Sequence, residues 1–190
     1  RELQSTLTGH EDHVLSVRFS PRGDELVSTC YDATARVWDV ATGQTKQVLL
    51  GHSWHVRGTA WSEDGKTLLT AGEDRRVVIW NRGTDGRFTR AEQDFTRHES
   101  PIGCVALSKD GLFAASGDES GNIKVWRVAD PEGTSPGTVR ELSTGGHTRA
   151  VTSLAFASDS SGLILSTSDD NTAKLWDVAG GKTVTTLRGH

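Results

Sequence analysis

Runs of alternating apolar and polar residues recur along the whole chain, as in Val14-Leu15-Ser16-Val17-Arg18-Phe19. Clusters of Gly, Asn, Asp or Pro interrupt them roughly every 8 to 12 residues. Alternation at period two sends one side chain to a core and the next to solvent, and no window sustains a helical period. The pattern therefore predicts an all-β chain of short strands. A first group covers 14–19, 26–30, 33–39 and 45–49. The second has 56–61, 67–71 and 76–80, then a longer connection through Gly83, Asp85 and Gly86 before an outer strand at 94–96. The third has 102–107, 112–116 and 122–128, followed at 129–137 by two Pro, two Gly and an Asp, the composition least suited to order. The fourth has 151–156, 163–168, 172–177 and 183–187.

These groups are copies of one unit. Asp32-Ala33-Thr34-Ala35-Arg36-Val37-Trp38-Asp39 returns as Asp74-Arg75-Arg76-Val77-Val78-Ile79-Trp80-Asn81 and as Asp170-Asn171-Thr172-Ala173-Lys174-Leu175-Trp176-Asp177. A more worn copy is Ser120-Gly121-Asn122-Ile123-Lys124-Val125-Trp126-Arg127. Gly-His pairs at 9–10, 51–52, 146–147 and 189–190 are a second marker, with Arg97-His98 in the remaining place. The Trp residues step by 42, 46 and 50 residues and the His residues by 42, 46, 49 and 43, so both markers keep one beat. The repeats run 11–52, 53–98, 99–147 and 148–190, and 1–10 match the end of a preceding repeat, with 3–7 as its outer strand.

Gly-His followed about 28 residues later by Trp-Asp, at this period, resembles the WD-repeat family of β-propellers. The resemblance covers the whole chain and implies four four-stranded antiparallel blades. Propellers close with about four to eight blades, so either a slice of a larger propeller or an eight-bladed ring completed by a second copy is expected. The chain opens at Arg1 and contains no Met, which also reads as a piece of something longer.

Net charge of −4 and a pI near 6.0 give no basic footprint, so no nucleic-acid partner is expected. No apolar run approaches the roughly 18 residues of a spanning helix, and no membrane partner is expected either. Cys30 and Cys104 lie in apolar stretches and read as buried reduced thiols, which suits a cytoplasmic location.

Each repeat places a His, a Ser or Thr, an Asp and a Trp at matching positions: His10, Ser28, Asp32, Trp38; His52, Thr70, Asp74, Trp80; His147, Ser166, Asp170, Trp176. In the family resembled, these side chains form a buried hydrogen-bond chain. The third repeat supplies His98, Ser116 and Trp126, but Ser120 stands at the acid's place, so its chain is expected to be weaker, with Asp118 or Glu119 as substitute. The same residue types make a hydrolase triad. A nucleophile is needed once, however, and near-intact repetition is what a structural staple shows. His10 with His13 and His52 with His55 invite a zinc reading, but neither pair has a Cys, Asp or Glu cluster at ligand spacing. No metal or cofactor is expected, and Gly121, Gly145 and Gly146 lack the Lys-Ser/Thr of a phosphate cradle.

By the same resemblance, partners meet the end that bears the Gly-His loops. The positions implied are His13, Leu15, Tyr31, His55, Arg57, Glu73, Glu119, Thr152 and Asp169, with Pro101, Gly103 and Ala150 beside them. Trp54 stands out because it lies outside both the staple and the alternating strand: it is either an exposed interface residue or folded onto its own loop. Trp61 takes the place of Phe19, Leu107 and Phe156 and reads as core. The function implied is a non-catalytic protein or peptide interaction scaffold, with a regulatory propeller appended to a kinase or nucleotide-hydrolysing domain as the alternative.

Overall fold

A computed structural model describes residues 5–92, 95, 98–128, 140–142, 146–158 and 162–189. The first sheet comprises β1 (Val14–Phe19), β2 (Glu25–Cys30), β3 (Thr34–Asp39) and β4 (Thr45–Leu50); the second β5 (Val56–Trp61), β6 (Thr67–Gly72), β7 (Val77–Arg82) and β8 (Phe88–Arg90). The third has β9 (Ile102–Leu107), β10 (Phe113–Asp118), β11 (Ile123–Arg127) and β12 (Arg140–Glu141); the fourth β13 (Val151–Phe156), β14 (Leu163–Ser168), β15 (Thr172–Asp177) and β16 (Lys182–Arg188). Each sheet is an antiparallel meander in chain order.

Local chemistry fixes the first hairpin of each sheet. Gly23, Gly65, Gly111 and Gly162 turn the chain at φ of 69 to 74°, where a side chain is disfavoured. Ser20, Ser62 and Ser108 close three of these turns by accepting the amides of Glu25, Thr67 and Phe113 on Oγ.

Two expected strands differ. The outer strand of the second repeat does not wait until 94–96: Asp85 Oδ1 accepts the Arg87 amide, Gly83 N donates to Arg87 O, and the tight hairpin returns the chain at once as β8. Phe95 then bridges to Val77, while Asp94 and Thr96 lie outside the described residues. Of the outer strand expected at 3–7, Leu3 and Gln4 lie outside the described residues, and 5–7 form no strand but run beside the Gly43 turn. The segment 129–137 also lies outside them.

The sheets stack face to face, and each junction follows one rule. The face bearing a repeat's Trp packs on the opposite face of the sheet before it. Trp80 meets Val27, Ala35, Val37 and Leu49; Trp126 meets Leu69, Ala71, Val77 and Ile79; Trp176 meets Cys104, Ala115, Ile123 and Val125. Burying one indole contributes on the order of 4 kcal/mol by area.

The two ends of the stack do not meet, so the sheets form an open arc, a partial propeller. Val17 and Phe19, on the Trp face of the first sheet, are exposed, Phe19 at 62 %. Leu165 and Leu187, on the receiving face of the fourth, are exposed too, Leu187 at 51 %. Trp38 itself is buried, with Gly9 of the incoming segment against its ring.

Candidate interaction surface

The repeated polar residues assemble into four hydrogen-bond chains. In the first repeat Trp38 Nε1 donates to Ser28 Oγ at 2.7 Å, Ser28 Oγ lies 2.7 Å from His10 Nε2, and His10 Nδ1 lies 2.8 Å from Asp32. An ionised carboxylate can only accept, so Nδ1 carries the proton and Nε2 accepts from the serine hydroxyl. Thr70 serves in the second repeat, 2.9 Å from Trp80 Nε1 and 2.8 Å from His52 Nε2, with Asp74 at 2.9 Å from His52. The fourth repeat gives 2.7, 2.7 and 2.8 Å for Trp176–Ser166, Ser166–His147 and His147–Asp170.

The weakening expected in the third repeat is absent from the geometry. Asp118, the last residue of β10, reaches His98 Nδ1 at 2.8 Å, and the two side chains are both 0 % exposed. Ser116 completes the chain at 2.7 Å from His98 and 2.8 Å from Trp126. Ser120 instead pairs its hydroxyl with Ser100 at 2.6 Å, tying the turn to the incoming loop.

Burial pushes the Asp32 carboxyl up, but hydrogen bonds from Thr34 and His10 outweigh it and hold the group well below the usual range. At Asp170 burial is likewise overcome by Thr172 and His147, at Asp74 by His52, and at Asp118 by His98 and Asn122. All four carboxylates are therefore ionised acceptors. Thr70, Ser116 and Ser166 are fully buried and Ser28 nearly so, each hydroxyl held between an indole and an imidazole, which leaves no open side for attack on a substrate.

In the two candidate zinc pairs the first histidine, His10 or His52, has both ring nitrogens engaged in its staple. Each sends its second histidine to a carboxylate: His13 Nδ1 to Asp12 at 2.7 Å, His55 Nδ1 to Glu73 at 3.0 Å. Among the described residues, His10, Cys30 and Asp32 bring ligand atoms within 4.8 Å of one another. There Sγ donates to the Asp12 carbonyl, burial raises the thiol's pKa, and both His10 nitrogens are engaged. Burial pushes the other thiol, Cys104, up to about 12.

The staples position an outer surface. In every repeat the turn residue before or beside the acid donates its amide to the loop ahead of the inner strand: Tyr31 to His13, Glu73 to His55, Glu119 to Pro101 and Asp169 to Ala150, at 2.9 to 3.0 Å. This repeated bond sets neighbouring turns side by side. Across the first two repeats it lines up four rings: His13 and Tyr31 at 5.7 Å, Tyr31 and His55 stacked at 4.1 Å, and His55 and Trp54 at 5.3 Å. Trp54 ends the row and stays 57 % exposed. Arg57 extends it, pairing with Glu73 at 3.3 Å and with Glu119 of the third repeat at 2.5 Å.

Leu15 is exposed on the inner strand, and Thr152 pairs with Thr167 at 2.8 Å while Asp169 stays exposed in the fourth repeat. Gly103 lies against the Val151 carbonyl and is not free. Trp61 is only partly buried, its Nε1 donating toward the Arg18 carbonyl at 3.4 Å. Sequence reasoning missed Thr34 and Thr172, each 2.6 Å from its acid; their spacing of two after the Asp was the available signal.

The WD domain, G-beta repeat family matches residues 1–39, 43–81, 90–127 and 138–177. The nuclear distribution protein PAC1-2 of Uncinocarpus reesii is 35 % identical over 96 % of this chain and 44 % of its own length. The ribosome biogenesis protein WDR12 homolog of Ixodes scapularis is 26 % identical over 95 % of the chain and 47 % of its length. Apoptotic protease-activating factor 1 of Rattus norvegicus is 28 % identical over 95 % of the chain and 14 % of its length. The chain thus spans less than half the length of these relatives. With four matched repeats, each folded as a four-stranded antiparallel sheet around its own Trp-Ser/Thr-His-Asp chain, this protein belongs to the WD-repeat family.

Proposed function

We propose that the repeats act as a non-catalytic protein-interaction scaffold, with the end bearing Tyr31, Trp54, His55, Arg57, Glu73 and Glu119 as the recognition surface. One observation carries this reading: a solvent-exposed indole at the end of a row of adjoining rings, held by loops that the buried staples fix. Large aromatic and Arg side chains on rigid supports are the groups that dominate protein interfaces. The named relatives lend no support to a kinase-appended module. A cytoplasmic location suits the two free buried thiols. The test is quantitative affinity capture with the wild-type chain and Trp54→Ala, matched for thermal stability. Partners held by the first and lost by the second support the surface, and identical sets from both would reject it.

A second reading rests on the two open end faces. Among the described residues the arc ends in a Trp-bearing face with no sheet before it and a receiving face with no sheet after it. Each matches one half of the internal junctions, so each takes a WD-type blade, supplied by flanking sequence in a longer chain or, in isolation, by a second copy that brings the total to eight. Light scattering over a dilution series tests the latter. A dimer broken by Phe19→Asp or Leu187→Asp is expected, and a stable monomer would sink the pairing.

A further inference from the structure

Two positions at the end of each second strand lie beside the staple histidine, and the repeats fill them differently. The first is the residue paired with the opening residue of the inner strand: Cys30, Gly72, Asp118 and Ser168. The second lies two residues on: Asp32, Asp74, Ser120 and Asp170. Gly72 shows where the first position points, since a Cβ there would lie 3.2 Å from His52 Nδ1 and 3.3 Å from Asp74 Oδ1. Repeats two to four place one acid in the pair, with Gly or Ser at the other position. Repeat one places an acid and a thiol.

Among the described residues this is where His, Cys and Asp ligand atoms gather, all within 4.8 Å of one another. His10 Nδ1 is 2.8 Å from Asp32 Oδ2, and Cys30 Sγ accepts the Asp32 amide at 3.3 Å while donating to the Asp12 carbonyl at 3.2 Å. Zinc bonds of about 2.0 to 2.3 Å in a tetrahedral array set their donor atoms about 3.2 to 3.8 Å apart, so small side-chain rotations bring all three onto one ion. The His10 side chain and Cys30 are buried, and the partly exposed Asp32 carboxylate gives the way in for the ion and for a water as fourth ligand. One nitrogen, one sulfur and one carboxylate oxygen suit Zn²⁺ rather than Mg²⁺ or Ca²⁺, which take oxygen ligands.

We infer that repeat one holds a zinc site made by His10, Cys30 and Asp32, in which the ion takes the place of the proton between His10 and Asp32. Three bonds form, from zinc to Nδ1, Sγ and Oδ2. The thiol proton leaves to solvent, because coordination deprotonates a thiol outright even where burial favours its neutral form. The Nδ1 proton moves to Nε2, which then donates to Ser28 Oγ. That oxygen has two lone pairs, one for this N–H and one for the Trp38 indole, so the chain to Trp38 stays joined. The bound ion ties the incoming loop to β2 and its turn, next to Asp12 and His13.

The experiment titrates the reduced 190-residue chain with Zn²⁺ against a chromophoric chelator, and with Co²⁺ as a coloured substitute. One zinc per chain is expected, with a dissociation constant on the order of 1 μM, and a thiolate-to-cobalt charge-transfer band in the near ultraviolet. Cys30→Ser copies the fourth repeat, where Ser168 makes the same two bonds, to the Arg149 carbonyl and from the Asp170 amide, so the fold is kept. It should weaken zinc binding at least about a hundredfold and remove the band. Cys104→Ser should change neither. The converse variant, Ser168→Cys, places a thiol beside His147 and Asp170 and should raise the stoichiometry from one zinc to two. Zinc held by Cys30→Ser as tightly as by the wild type, the outcome of surface binding through Asp12 and His13, would overturn the proposal. A wild-type chain that binds no zinc, a band that survives in Cys30→Ser, or a single zinc in Ser168→Cys would do the same. Trp54→Ala should leave the zinc titration unaltered, so this site stands or falls apart from the interaction surface.

Discussion

Repeats one and three reach the same four-group chain from different positions in the sequence. In repeat one the acid is Asp32, in the turn after β2, where it also accepts the Glu11 amide of the incoming loop at 3.1 Å and the Thr34 hydroxyl at 2.6 Å. In repeat three it is Asp118, two places earlier, at the position that Cys30 fills in repeat one. Asn122 there donates its side-chain and backbone N–H groups to the carboxylate. Cys30 and Asp32 both bring their polar atoms within 4.8 Å of those of His10, so either position can serve the histidine. What the fold requires is an ionised acceptor on Nδ1, and the residue that supplies it is open.

Acid is the most severe way to break both arrangements together. The Asp32, Asp74, Asp118 and Asp170 carboxyls are all held below their ordinary value in the folded chain. A group with a depressed folded pKa contributes stability that is complete above its unfolded value, about 3.9, and is lost as pH falls toward the folded value. The denaturation midpoint should therefore drop steeply below about pH 4. A midpoint that holds or rises in that range would show that the carboxylates are not the ionised acceptors.

Removing one acid separates the two arrangements. Asp118→Ala strands a buried imidazole N–H and should cost about 3 to 5 kcal/mol, the usual loss when one partner of a buried pair is deleted. Asp32→Ala should cost about half as much, because its carboxylate is 10 % exposed and water can replace it. Urea denaturation reads both, and equal losses would mean that burial does not set the difference. Placing Asp at 120 in an Asp118→Cys background rebuilds the first repeat's arrangement, and it should recover more than half of the loss of Asp118→Cys alone.

How much of this was legible in the sequence follows from what kind of information each feature needs. Strand positions and the blade unit were readable because alternation and the Trp beat are local and repeated. The outer strand at Phe88–Arg90 was not, since one apolar residue among polar neighbours carries no alternation and Gly83, Asp85 and Gly86 signal a long loop as readily as a tight hairpin. Asp118 was named only as one of two substitutes, because choosing between it and Glu119 needs the direction of each side chain on the β10 edge. The stacking of Tyr31 on His55 joins different repeats and leaves no trace within a single one.

Gly121 sharpens the same comparison. It follows Ser120 in the turn of repeat three at φ 90°, and a Cβ there would fall on the carbonyl oxygen of His147, the histidine of the fourth hydrogen-bond chain. Ala33, its counterpart in repeat one, carries a side chain at φ 63°. Gly121→Ala should thus cost about 2 kcal/mol through backbone overlap added to left-handed strain. Ala33→Gly should not destabilise, and thermal melts of the two variants give the contrast directly.

The smallest effect comes from the same turn position across the remaining repeats. Arg75 and Asn171 hold φ of 65° and 64°, the left-handed region, which costs most L-residues about 1 to 2 kcal/mol but is eased for Asn by its short polar side chain. Glycine removes that strain, and the wider freedom it gives the unfolded chain takes back about 0.4 to 1 kcal/mol. Arg75→Gly should therefore stabilise by about 0.5 kcal/mol, and Asn171→Gly should be neutral or slightly destabilising. Arg75 is exposed, so little packing is lost with its side chain. If Arg75→Gly destabilised as much as Asn171→Gly, backbone strain would be ruled out as the difference between these turns. The choice of residue after the acid would then have to be explained by the surface it presents beside Glu73.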